Sequence, residues 1–109
     1  MAGASGAEPL DLLRSNIGNP VRIVLRPAAL DGVKPSGGGD GRVIGLQGGL
    51  VAADALGNVV VRDVREVVAH SKTDDDSTVV TVVGERIIAE ARFVRGDSVV
   101  AVTAVPKAA

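Results

Sequence analysis

Aromatic residues are almost absent from this chain: it has no Trp, no Tyr and a single Phe, Phe93. Grooves that read extended peptides are usually lined with aromatics, so a monomeric peptide-binding adaptor is poorly served. Cysteine is missing altogether. That excludes disulfides, a thiolate zinc site and a cysteine nucleophile. A surplus of positive charge is missing too, with 12 Lys and Arg against 13 Asp and Glu, net −1. Coating nucleic acid through many phosphate contacts calls for a basic surplus. Any nucleic acid must therefore be held by a few well-placed groups or together with more basic partners. No apolar run approaches the roughly 18 residues of a membrane span. The segment Met1–Ala7 lacks both a basic stretch and an apolar stretch of the secretory kind. The expectation is a soluble intracellular protein.

What remains is aliphatic. The 109 residues suit one domain, and the 46% hydrophobic fraction is mostly Val, Ala, Leu and Ile. Branched Cβ atoms are stiff and pack well on a pleated surface, so a strand-rich fold is expected.

Residues 1–7 read as a flexible tail. In Glu8–Gly18, Pro9 suits a first helical turn and Asp11 favours the positive end of the dipole. Leu10, Leu13 and Ile17 share a helical face, and Gly18-Asn19-Pro20 is a stop. Val21–Arg26 alternates as a strand. Pro27–Gly41, with Gly37-Gly38-Gly39, reads as a long Gly-rich hairpin loop. Strand character returns over Arg42–Ala53, where internal glycines suit a bent strand. Asp54–Asn58 is a turn, Val59–Val68 a third strand and His70–Asp76 a polar loop. Thr78–Val94 is a long strand with a possible break near Gly84, and its Ile87, Ala89, Ala91 and Phe93 share one face. Arg95-Gly96-Asp97 is a tight turn. Ser98–Val105 is a last strand, apolar on both faces, and 106–109 is a tail. Such a terminal strand is hazardous if exposed, and pairing with a neighbouring subunit would cover it.

Three segments together resemble the Sm and Sm-like (LSm) family. They are Glu8-Pro9-Leu10-Asp11-Leu12-Leu13; Gly49–Asp54 through Asn58 and on to Asp63-Val64; and Phe93-Val94-Arg95-Gly96-Asp97-Ser98-Val99-Val100. The resemblance covers the single domain at 8–105. It implies a mainly β fold: a short N-terminal helix, then a five-stranded, strongly bent antiparallel small barrel of SH3-like kind. It also implies a ring of related subunits joined by edge-strand pairing, binding single-stranded U-rich RNA, with no cofactor, metal or catalysis. By resemblance, Asn58 hydrogen-bonds a base edge, Arg95 lays its planar guanidinium on the base, Asp54 orients Asn58, and Gly96 lets the backbone come close. Leu56 and Asp97 complete the site. The helix and second motif are most like the eukaryotic Sm-like subunit conventionally numbered three. That implies a heteroheptameric ring on U-rich RNA ends, in splicing with U6 RNA or in mRNA decay, in nucleus and cytoplasm. Archaeal homo-oligomeric relatives share several of the same residues.

The sequence departs from the family pattern in places. Leu56 stands where an aromatic or His is common, and Ala53 where an aromatic is usual. Leucine offers apolar contact but no π face, so a structural ring subunit with little RNA contact is the second reading. Arg22, Arg26, Arg62, Arg65, Arg86 and Arg92 read as outward or interface strand residues, held in structural ion pairs in the simple reading and lining a second RNA track in the lesser one. Asp74-Asp75-Asp76 lacks the alternating spacing of a calcium loop. Gly37–Gly41 lacks the Lys and Ser/Thr of a phosphate loop. His70, the only histidine, has no placed partner for a nucleophilic triad, so an enzyme is not expected.

Overall fold

The computed structural model describes residues 9–72 and 75–106. The tails expected at 1–7 and 106–109 lie outside the described residues apart from Pro106, as does Asp74 of the acidic run.

A helix, α1 (Pro9–Ser15), precedes β1 (Pro20–Leu25), β2 (Arg42–Ala53), β3 (Val59–Lys72), β4 (Asp75–Val83), β5 (Ala89–Val94) and β6 (Val99–Ala104). All pairings are antiparallel. The order is β4-β3-β2-β1-β6, with β5 on the other half of β3. β4 and β5 are thus two pieces of one long strand interrupted at 84–88, and along its path the sheet is the expected curled five-stranded one.

Two local devices curl it. At Gly45, a Cβ would stand 1.9 Å from the Ile23 carbonyl oxygen, so only glycine lets β2 lie this close over β1. In β3, Asp63 takes φ +51°, a left-handed conformation that Asp tolerates better than a branched residue. It lies where β3 carries one residue more than β2: Asp63 and Val64 fall between Arg62 (opposite Gly49) and Arg65 (opposite Gln47) and face the single Gly48, which bulges the strand. The bulge resets the alternation: Val59 and Val61 point inward, and the next inward residue is Val64. These three join Val21, Ile23, Leu46, Leu50 and Val94 in an all-aliphatic core.

Several expectations need correction. α1 ends at Ser15 because Ser15 Oγ and Asn16 Nδ2 both donate to the Leu12 carbonyl, competing with the backbone for it. Ile17 is therefore off the helix and exposed. Of the polar loop expected at His70–Asp76, the described residues 70–72 and 75–76 are strand. β3 runs on to Lys72, β4 begins at Asp75, and His70 pairs with Val80. Backbone pairing carries this hairpin arm outward whatever the polarity of its side chains. The loop 27–41 includes a 3-10 turn, Pro27–Leu30. It is also tethered: Ser36 N–H and Oγ–H donate to Oε1 of the buried Glu66 at 2.9 and 2.6 Å. Among the described residues none of the arginines expected in ion pairs is in one. Arg22 donates to Gln47 Oε1, Arg26 to the Asp97 carbonyl, and Arg65 to the Gly84 and Glu85 carbonyls.

β5 and β6 follow each other in sequence but are not paired. The barrel is open between them, and each keeps one edge without a partner among the described residues. Phe93 on β5 is 60% exposed and Val100 on β6 59% exposed.

Candidate nucleic-acid interface

The turn 54–58 is built by Asp54. Its Oδ1 accepts the backbone N–H of Leu56 at 2.9 Å and of Asn58 at 3.1 Å. Asp54 N–H donates to the Asn58 carbonyl and closes the strand ends. Gly57 takes φ +80°, as the turn requires. Asp54 Oδ2 accepts from Asn58 Nδ2 at 2.9 Å. That side-chain bond, aided by the two backbone N–H groups, holds the Asp54 carboxyl below the usual range against a smaller opposing desolvation.

The second turn, from Arg95 to Ser98, enters a short 3-10 helix, Gly96–Ser98. Gly96 N–H donates to Asn58 Oδ1 at 2.7 Å, which joins the two turns. A Cβ on Gly96 would meet the Leu56 carbonyl oxygen at 2.2 Å. Glycine is thus required by a contact between turns and not by its own φ.

The neighbours fix the Asn58 amide. Its NH2 faces a carboxylate and its oxygen faces an N–H; the flipped amide would set oxygen against carboxylate. A primary amide has two N–H donors and two acceptor lone pairs. Among the described residues one of each is used, leaving one donor and one acceptor on a half-buried side chain.

Arg95 lies beside this amide in sequence space only through Gly96. Its Nη2 is 2.8 Å from Asp97 Oδ2, and both side chains are largely exposed. Asp97 thereby steadies an exposed guanidinium plane. Sequence reasoning missed Arg26. Its Nε donates to the Asp97 carbonyl at 2.8 Å and its N–H to the Ser98 carbonyl at 2.8 Å, tying β1 to this turn. No sequence signal marks Arg26, because the tie spans 71 residues. Leu56, at the tip of the first turn, is 81% exposed. The structure therefore links Asp54, Asn58 and Gly96 directly, places Arg95 and Asp97 next to them in one turn, and leaves Leu56 standing in solvent. Among the described residues no cluster of ligating side chains could hold a metal.

The helix, curled sheet and paired turns define the Sm fold. Solved structures of this fold match over nearly the whole chain. The SmAP1 heptamer of P. aerophilum is 21% identical, with a TM-score of 0.54, covering 93% of this chain and 97% of that one. The Sm protein of Pyrococcus abyssi, solved with a uridine heptamer, is 17% identical with a TM-score of 0.55, covering 91% and 100%. The Sm-like protein of Methanococcus vannielii is 20% identical with a TM-score of 0.52, covering 92% and 99%. The sequence matches no protein-family profile and no curated protein.

Proposed function

We propose that this chain is a non-enzymatic RNA-binding subunit of a Sm-like ring, taking one base of a U-rich single strand per subunit. One observation carries the reading: the Asn58 amide is clamped from both sides, yet keeps a donor and an acceptor unused. Uracil offers an N–H beside a carbonyl oxygen, the complementary pair, and splayed bases are read in this way. The exposed Arg95 plane can stack on such a base. The uridine heptamer bound by the P. abyssi protein of the same fold supports the ligand class.

Ring assembly is supported by the unpaired edges of β5 and β6. Beside β6, Leu12, Leu13, Val100, Ala101 and Val102 line an apolar groove. The heteroheptameric ring of splicing or mRNA decay, in nucleus and cytoplasm, is the reading that the sequence resemblance supports. A ring of identical copies is the second reading. It is favoured because this one chain carries both edges that such a ring needs, and closure by head-to-tail contacts requires nothing more.

The test is Asn58→Ala with Arg95→Ala, assayed for oligouridine binding on the assembled protein. Base contacts of this kind are worth about 1–3 kcal/mol each, so affinity should fall at least tenfold. Unchanged affinity would reject the RNA contact and leave a purely structural ring subunit.

A further inference from the structure

A third strand edge belongs to neither the base site nor the ring reading. β4 is the last strand of the sheet and, among the described residues, pairs only with β3. Val79, Val80 and Val82 are 57%, 44% and 48% exposed, and Thr81 between them is exposed too. Neighbours along a strand point to opposite faces, so both faces of this arm are uncovered. Natural edges are blunted by lysines, prolines, bulges or inward charges. Residues Thr78–Val83 have no charge and no proline.

The sequence of this edge is its own mirror. Val79-Val80-Thr81-Val82-Val83 reads the same in both directions about Thr81. Antiparallel pairing about a twofold axis through Thr81 would set Val80 opposite Val82, Val79 opposite Val83, and Thr81 opposite its twin. β-branched and Thr–Thr pairs across strands are favourable. A twofold contact demands such a self-complementary patch.

We infer that β4 is an interaction surface for the β4 of a second copy of this chain, paired antiparallel about Thr81. The contact is independent of the ring. It joins two rings where the ring forms and two chains where it does not.

The test uses the full chain, which has no native cysteine. Directly opposed residues in an antiparallel pair lie about 4.5–5.5 Å apart at Cα, within disulfide reach. Thr81→Cys should therefore oxidise to a species of twice the 11.0 kDa chain mass on a non-reducing denaturing gel. Val79→Cys should not, because its twin sits about 13 Å away at 3.3 Å per residue. Thr81→Lys sets two cations face to face, and native mass should halve. No Thr81→Cys dimer, equal cross-linking through Val79→Cys, or a native mass unmoved by Thr81→Lys would each overturn the inference. A partner strand from another protein would give a β4-dependent foreign mass without the Thr81→Cys dimer, and would overturn it as well.

Discussion

Asn58 Oδ1 accepts the Gly96 N–H at 2.7 Å and bridges two turns that lie 38 residues apart. The same amide donates to Asp54 Oδ2 at 2.9 Å. Its remaining donor and acceptor are thereby aimed by Asp54 and Gly96. Binding through so preorganised a group loses little to ordering.

Gly96→Ala tests the approach of the turns. The added methyl would meet the Leu56 carbonyl oxygen at 2.2 Å, and that atom is backbone. The turns must separate, at a cost of about 1–3 kcal/mol, the range for overpacking. Thermal unfolding should show a lowered Tm, and oligouridine affinity should fall with it. An unchanged Tm would mean that the turns are not in tight contact.

Leu56→Tyr should strengthen binding. Leu56 is 81% exposed at the tip of the site turn and has no π face. An aromatic there supplies base stacking worth about 1–3 kcal/mol, so oligouridine should bind roughly 5- to 150-fold tighter. Folding should be indifferent to the change. Equal affinity in titration calorimetry would place the base away from Leu56.

The Asp54 clamp has a defined pH dependence. Its carboxyl is held below the usual range, chiefly by the Asn58 side chain. A folded-state pKa that is depressed gives stability that is present in full above the ordinary carboxylate pKa and is lost as pH falls through the lowered value. The Asn58 side-chain amide resonances should therefore stay constant through pH 5 and move only below about 3.9, the ordinary Asp value. Asp54→Ala should abolish that titration. Movement centred at a higher pH would contradict the clamp.

How much of this was legible in the sequence varied with the range of the interactions. β2 runs over Arg42–Ala53 as the strand signal marks it, because alternation and glycine placement are local. Asp54, Asn58, Arg95 and Gly96 stood out through the family resemblance of their two turns, each of which is ordinary by itself, and the contact that joins the turns is not local. The end of α1 could not, because two polar side chains competing for the Leu12 carbonyl leave the helical periodicity of Leu10, Leu13 and Ile17 intact. The reach of β3 through His70 to Lys72 was hidden because its residues are polar while the strand pairing is made by the backbone. The Ser36–Glu66 tether and the Arg26–Asp97 tie join distant segments, and no periodicity records such contacts.

In the proposed ring, the two barrel edges carry the assembly. Phe93 and Val100 are each about as exposed as the other and sit on β5 and β6. Phe93→Asp with Val100→Asp should leave the monomer folded by circular dichroism, because neither side chain is in the core. Each buried side chain of this size stabilises a contact by about 1.5–3 kcal/mol, so the ring should dissociate to one or two chains. A ring that persisted would move the interface elsewhere.

Native mass spectrometry of the full chain, alone and with heptauridine, tests the central claim most directly. The expected result is a closed ring of about seven subunits, the number in the P. aerophilum protein of the same fold, or two such rings where they are joined through β4, gaining the mass of bound RNA when heptauridine is added. A chain that stays at 11.0 kDa and gains no RNA mass would contradict it.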